Sequence, residues 1–167
     1  MINQQAAASP GSGGLIILAT FLVGLMLSQI PLPHFIEWGR PEWVALILIY
    51  WVMALPHRIG MGSAFLLGLM LDVIKGSVLG LNALSLTIIA FVTLVLHQRL
   101  RMYPRVQQSM MVMVLIGINQ LIFHWMQAFT GYTGDSLYFL LPCLASGIIW
   151  PWLFVVLRGV RRFFRIR

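Results

Sequence analysis

Six apolar stretches, separated by short polar or proline-containing breaks, run along this chain. They span Leu15 to about Leu32, Glu42 to Leu55, Ile59 to about Ile74, Val78 to Leu96, Val106 to Phe129 and Leu137 to Leu157. A helix that crosses the ~30 Å hydrocarbon core of a bilayer needs roughly 20 residues. Four stretches meet that length, whereas the second and third are shorter. The pattern predicts a domain of six transmembrane helices over residues 15–157, with a re-entrant hairpin as the alternative for the short pair.

The composition excludes a soluble fold. Hydrophobic residues make up 60% of the chain, charged residues 9%, and the mean hydropathy is +0.91. A soluble domain carries about 25% charged residues and leaves roughly a third of its chain surface exposed to water. We therefore predict an all-α integral membrane protein. The connecting loops are too short for a catalytic domain, and no nucleophile, phosphate-loop or carboxylate motif occurs, so we do not expect an enzyme.

The charges are sorted between the two sides of this topology. All four acidic residues fall in or beside the loops of one side, together with Arg40 and Lys75. The other side holds nine of the eleven basic residues: Arg58, Arg99, Arg101, Arg105, Arg158, Arg161, Arg162, Arg165 and Arg167. Because basic loops stay in the cytoplasm, both termini are predicted to be cytoplasmic. A re-entrant hairpin would displace only Arg58, so the charge pattern favours six full crossings modestly.

The two ends of the chain lie outside the predicted helices. Residues 1–14 are small, polar and free of charged side chains, which predicts a disordered cytoplasmic tail. Residues 158–167 form a basic cytoplasmic tail with interleaved aromatic residues. We expect its arginines to bind anionic lipid, with a cytoplasmic partner surface as the alternative: Arg158, Arg161, Arg162, Arg165 and Arg167. This location also explains the net charge of +7 better than nucleic-acid binding does.

A series of small residues at four-residue spacing occupies the centre of the chain, with a carboxylate inside it: Gly60, Ala64, Gly68, Asp72, Gly76 and Gly80. Such a face lets a second backbone approach closely. Packing within the protein's own bundle is the first interpretation, and a docking face for a partner helix is the second. Asp72 could bond the Gly76–Gly80 turn at the outer interface, contact a partner or hold an ion, and Lys75 could neutralise it.

A polar stripe on the fifth stretch lies at the same predicted depth as Asp72. It consists of Asn119, Gln120, His124 and Gln127. Their spacing places most of them on one helical face, where hydrogen bonds between helices are the expected use. His124 has no second ligand at metal-binding spacing, so we expect neither a metal site nor a cofactor.

The stretch from Arg40 to Phe91 resembles the family of rod shape-determining protein MreD. The resemblance rests on Arg40-Pro41-Glu42, Leu48-Ile49-Tyr50-Trp51, Pro56, Gly68-Leu69-x-x-Asp72-x-x-x-Gly76-x-x-x-Gly80 and Asn82-Ala83-Leu84. Each element is short, but their order and spacing together are fairly specific. The chain length and the six-span plan fit as well, whereas the two tails show no family pattern.

The resemblance implies a non-enzymatic component of the bacterial inner membrane that takes part in cell elongation. Its implied partners are the single-span scaffold MreC, the actin-like MreB system, and a SEDS glycosyltransferase with its class B penicillin-binding protein. The family's fold is similar to that of the S components of energy-coupling-factor transporters. That similarity leaves an alternative, a vitamin-binding subunit whose outer polar cavity would be lined by Asp72, Asn119, Gln120 and His124.

Overall fold

A computed structural model of the chain describes residues 10–31, 39–129, 131 and 141–164, with side chains from residue 13 onward. Six α-helices form this part of the chain: α1 (Pro10–Leu27), α2 (Trp43–Ala54), α3 (Met61–Lys75), α4 (Leu81–Met102), α5 (Arg105–Phe129) and α6 (Leu141–Phe163). The described ranges contain no β-strand. The prediction of an all-α architecture with six helices is confirmed.

The six helices fall into two length classes. Helices α4, α5 and α6 have 22, 25 and 23 residues and are long and apolar enough to cross a membrane. The apolar part of α1 (Gly13–Leu27) and helix α2 are shorter, and α3 has 15 residues. The fold is therefore that of a membrane protein with at least three candidate transmembrane helices, and full crossing by the other three stays a prediction.

Several helix boundaries differ from the predicted ones. Helix α1 ends at Leu27 and not near Leu32, and α4 ends at Met102 and not at Leu96. Helix α6 continues to Phe163, so residues 158–163 are helical and do not form a separate tail. Helix α1 begins at Pro10, not Leu15, because proline is well suited to the first turn of a helix, where its missing N–H would have no partner. Helix α4 begins at Leu81, not Val78, because Gly80 has φ 104° and interrupts the helical backbone. The tail before Pro10, the start of the sixth stretch and the last three residues, including Arg165 and Arg167, lie outside the described residues.

Helix α2 is the centre of the bundle. Each of its residues from Val44 to Ala54 is at most 7% exposed, because α1, α4, α5 and α6 all pack against it. A helix that is apolar on every face is stable only when it is surrounded in this way. Its 12 residues span only ~18 Å, so its ends depend on protein groups as bonding partners.

Polar groups from the surrounding helices satisfy both ends of α2. At its start, the Glu42 N–H donates to the Ser146 hydroxyl (3.1 Å). The Gln120 side-chain amide donates to the Glu42 carboxylate (2.9 Å). At its end, the Arg101 guanidinium donates to the Ala54 carbonyl (2.8 Å). An unpaired backbone group in a bilayer costs several kcal/mol, so these bonds allow a short helix to lie inside the bundle.

Helix α1 is attached to α2 through a buried polar pair. The indole N–H of Trp51 donates to the Thr20 hydroxyl (2.9 Å), and Thr20 donates in turn to the Ile17 carbonyl (2.7 Å). Trp51 is fully buried, and a buried indole N–H needs such a partner. The side chains of Ile17, Phe21 and Leu25 complete the contact as part of the hydrophobic core.

Helices α3 and α4 form the closest packing in the bundle, and Gly68 makes it possible. A Cβ atom at this position would overlap the Ala83 Cα atom and would lie 2.7 Å from the Asn82 carbonyl oxygen. Ala64, one turn earlier, is also fully buried. Close backbone approach of this kind provides the van der Waals contact that holds helices together in lipid.

We expect Gly68→Ala to lower the free energy of unfolding by about 1–3 kcal/mol, because the added methyl group meets backbone atoms that have no room to move. Gly62→Ala is the matched control on α3, since nothing lies within 4 Å of its added Cβ. Thermal and SDS unfolding of the protein in detergent, followed by circular dichroism, compares the two. Equal stability of both variants would contradict the packing argument.

Candidate functional site

The Asp72 carboxylate is the most heavily bonded side chain in the described part of the protein. Its Oδ1 atom accepts bonds from the Ser77 hydroxyl (2.7 Å), the Asn82 backbone N–H (3.0 Å) and the Asn82 side-chain amide (2.8 Å). Its Oδ2 atom accepts from the backbone N–H groups of Gly80 (2.9 Å) and Ala83 (3.3 Å). Asp72 is completely buried, so its carboxylate is solvated by protein groups in place of water.

This arrangement makes Asp72 a cap for the following helix. Gly80, Asn82 and Ala83 lie at the start of α4, where the first backbone N–H groups have no partner inside the helix. The positive end of the helix dipole also favours an anion there. The carboxylate is therefore bound by the first turn of α4, although it belongs to the last turn of α3.

The glycines that follow Asp72 shape the reversal between the two helices. Gly76 has φ 64° and ends α3, with Gly76 N–H bonded to the Val73 carbonyl (3.3 Å) and Ser77 N–H to the Asp72 carbonyl (3.0 Å). These two bonds form a Schellman motif. Gly76 and Gly80 therefore do not extend the helical face of Gly60, Ala64 and Gly68. Both have positive φ, which glycine adopts without a steric penalty.

The expected Asp72–Lys75 pair is absent. Lys75 is exposed, and both Asp72 oxygens are bonded to Ser77, Asn82 and the turn. Three backbone N–H groups and two side chains stabilise the carboxylate without a counter-ion. Within the residues that the structure describes, no group of three or more metal-ligating side chains occurs at this or any other place.

The polar stripe on α5 is used in bonds within the bundle and at the helix surface. Gln120 is buried and bonds Glu42, while the His124 ring lies 3.2 Å from the Gln120 carbonyl of its own helix. Asn119 is buried, and its Oδ1 atom has no hydrogen-bond partner. Gln127 is partly exposed. Helices α3 and α5 have no extensive contact, so the structure does not bring Asp72 and the stripe together in one site.

Ser146 is a bonding residue that sequence reasoning missed. Its hydroxyl is completely buried and accepts the bond from Glu42 N–H. The only signal for it was a polar residue inside an apolar stretch. The sequence placed Glu42 at the start of the second stretch, beside an outer loop, and the structure adds its bonds to Gln120 of α5 and Ser146 of α6.

An apolar groove runs between α1 and α3 on the surface of the bundle. Its volume is about 340 Å³. The lining consists of Gly14, Ile17, Leu18, Phe21, Leu22 and Leu25 on α1, of Ser63, Leu66, Leu67 and Met70 on α3, and of Ile59 just before α3. The two rows start from the same end of the bundle and extend over about three helical turns each. Several of the lining side chains, including Leu22 and Leu66, are exposed.

A second cavity lies at the end of the bundle where α2 and α4 terminate and α5 begins. We call this end, which contains Ala54 and Arg101, the basic end. Two of the predicted lipid-binding arginines, Arg158 and Arg161, line this cavity together with Arg101, whereas Arg162 is exposed and is not part of its wall. The cavity measures about 310 Å³. The binding of lipid by the tail arginines stays a prediction.

These features define a class of protein. The polar groups at Asp72, Glu42 and Thr20 bond groups of the bundle itself, and the surface of the described part carries an apolar groove and a basic cavity. The molecule is an α-helical membrane protein built for packing in lipid.

Comparisons with known proteins identify the family. The family model for rod shape-determining protein MreD matches residues 12–160. The curated rod shape-determining protein MreD of Haemophilus influenzae is 34% identical, and the match covers 87% of this chain and 90% of that relative. No solved structure matches the chain. The chain belongs to the MreD family, as predicted, and is thereby a component of the rod-shape (MreBCD) system with a role in cell shape.

We expect Asp72→Asn to lower the free energy of unfolding by about 1–3 kcal/mol, because one carboxylate oxygen is replaced by an amide group that cannot accept the N–H bonds of Gly80 and Ala83. Lys75→Gln is the matched control, since Lys75 is exposed and its charge lies one turn away from Asp72. The free energy of unfolding of this variant should stay within about 0.5 kcal/mol of the parent value. Chemical unfolding in detergent measures both. A larger loss in the lysine variant would show that charge pairing, not capping, is the important interaction.

Proposed function

We propose that this protein is a non-enzymatic inner-membrane component of the cell-elongation machinery that binds an MreC-like single-span partner within the bilayer. The proposal rests on membership of a shape-determining family and on the apolar groove between α1 and α3. The groove is the single observation that carries the partner contact, because it is a concave surface lined almost entirely by apolar side chains.

The dimensions of the groove suit one transmembrane helix. Its walls run from Gly14 to Leu25 on α1, which corresponds to ~16 Å along that helix, and from Ile59, just before α3, to Met70 on α3. The lining is almost entirely aliphatic or aromatic, with Ser63 as its one polar side chain. Helix association in lipid depends on packing and small polar contacts, and this surface offers both to an apolar helix.

The small-residue face is a weaker candidate for the partner contact. Gly68 and Ala64 are buried against the bundle's own helices, so a partner would have to displace α4 to reach them. The groove lies on α3 as well, but on a face with exposed side chains such as Leu66 and Met70. We therefore place the proposed contact in the groove.

The wider assembly follows from the family relationship. We propose that the MreC-like partner connects the protein to the MreB system and to peptidoglycan synthesis by a SEDS glycosyltransferase and a class B penicillin-binding protein. We also propose that both termini are cytoplasmic, since the basic end carries Arg58, Arg101, Arg105 and Arg158 and basic segments stay in the cytoplasm.

We expect Leu22→Trp and Leu66→Trp, on opposite walls of the groove, each to reduce co-purification with the MreC-like partner about fivefold, which corresponds to roughly 1 kcal/mol. The indole fills space that the partner helix would occupy. Both side chains are exposed in the isolated chain, so the variants should insert and fold. Pull-down from membranes at matched expression, together with cell-shape measurement, provides the readout.

Leu144→Trp on α6 is the matched control, because Leu144 is 50% exposed and does not line the groove. It should leave the partner bound at the parental level. Normal co-purification and rod shape in both groove variants would show that lipid covers the groove and that the partner binds elsewhere.

A further inference from the structure

The cavity at the basic end combines three guanidinium groups with a polar, buried floor. Arg101 from the last turn of α4 and Arg158 and Arg161 from the end of α6 line it, together with Tyr50, Gln108 and Phe154. Tyr50 is 3% exposed and Gln108 is 4% exposed. Four helices, α2, α4, α5 and α6, thus contribute to a single cavity that is open to the surface.

The cavity contains an excess of positive charge. Its lining includes three arginines and, within the described residues, no carboxylate. Glu42 lies at the opposite end of α2, and Asp72 lies at the C-terminal end of α3 in its own cage of hydrogen bonds. Cations gathered beside an apolar bundle without a counter-ion favour the uptake of an anion.

Existing hydrogen bonds hold these side chains in position. Arg101 donates to the Ala54 carbonyl (2.8 Å), and Arg161 is hydrogen-bonded to the Tyr50 hydroxyl. The Gln108 amide donates to the Leu100 carbonyl (3.2 Å), and its Oε1 atom accepts from the Trp150 indole (3.4 Å). A guanidinium has five N–H donors in a planar fork, so the bond from Arg101 to Ala54 leaves further donors to face the cavity.

We propose that this cavity binds the phosphate group of an anionic ligand. Arginine forks match phosphate oxygens in geometry as well as charge. Basic pockets between helices at the cytoplasmic side of a membrane are suited to lipid head groups, and a volume of about 310 Å³ accommodates one head group but not a large cofactor. The phosphodiester of an anionic phospholipid and a free phosphate share this chemistry, and the test separates them.

The proposal divides the basic residues into two sets. Arg101 and Arg158 belong to the cavity, whereas Arg99 and Arg162 lie on the same helices, carry the same charge and do not line it. A tail that attracted anionic lipid only through its net charge would depend equally on Arg158 and Arg162. A specific site in the cavity would depend on Arg101 and Arg158 and not on Arg99 and Arg162.

Native mass spectrometry of the full chain in detergent, titrated with short-chain phosphatidylglycerol, tests the proposal. One molecule of phosphatidylglycerol should bind more tightly than the molecules that bind after it. Arg101→Gln and Arg158→Gln should each weaken its binding about tenfold, whereas Arg99→Gln and Arg162→Gln should weaken it less than about twofold. Arg158→Lys should weaken lipid binding by an intermediate factor, because lysine keeps the charge but lacks the planar guanidinium group. Equal weakening by all four glutamine variants, or none by the cavity variants, would overturn the proposal.

Two further arms identify the source of the phosphate. Phosphatidylcholine carries the same phosphodiester without net charge and should bind more weakly than phosphatidylglycerol. If the site binds a lipid head group, excess inorganic phosphate should leave the lipid bound. If phosphate displaces the lipid, and this displacement depends on Arg101 and Arg158, the site binds a soluble phosphate instead. Because Arg101 also bonds the Ala54 carbonyl, the thermal stability of each ligand-free variant is measured, and the Arg158 variants test the site independently of that bond.

Discussion

The carboxylate of Asp72 closes the chain reversal on which the arrangement of the middle helices depends. It belongs to the last turn of α3 and accepts hydrogen bonds from backbone N–H groups in the first turn of α4. These donors would otherwise be left without partners in a medium that offers no water. The bonds draw the two helices together at one end, and Gly68 allows their backbones to touch further along. The α3–α4 pair is therefore a closely packed unit, which joins the rest of the bundle through the contacts of α4 with α2 and α5.

The burial of α2 follows the same physical constraint. Its apolar side chains contact four neighbouring helices, while Ser146 and Arg101 pair with backbone groups at its two ends. Satisfying these groups inside the protein lets a helix too short for the bilayer occupy its centre. The apolar groove between α1 and α3 lies on the surface of this bundle, and the arginine-lined cavity lies at the end where α2 terminates.

The sequence predicted much of this architecture because membrane helices are encoded by long apolar runs. The existence and order of all six helices followed from the breaks at Pro41, Pro56, the glycines near Gly76, the loop from His97 to Arg105 and residues 130–136. The helix ends were less accurate: the glycines signalled the turn, but only the positive φ of Gly80 shows that it delays α4 to Leu81. The involvement of Asp72 with its turn was one of several options, and only the positions of the Ser77 and Asn82 donors distinguish it from an ion site.

The sequence by itself determined that the chain lies in a membrane, that it consists of six helices and that its family is MreD, because hydropathy and short ordered motifs are local properties. The tertiary structure alone decided which polar residues meet. The pairs Glu42 with Ser146, Trp51 with Thr20, and Arg101 with Arg158 are separated by 31 to 104 positions along the chain. Their proximity depends on how each helix is rotated about its axis relative to α2. This rotation cannot be predicted from the sequence of α2, because every face of that helix is equally hydrophobic.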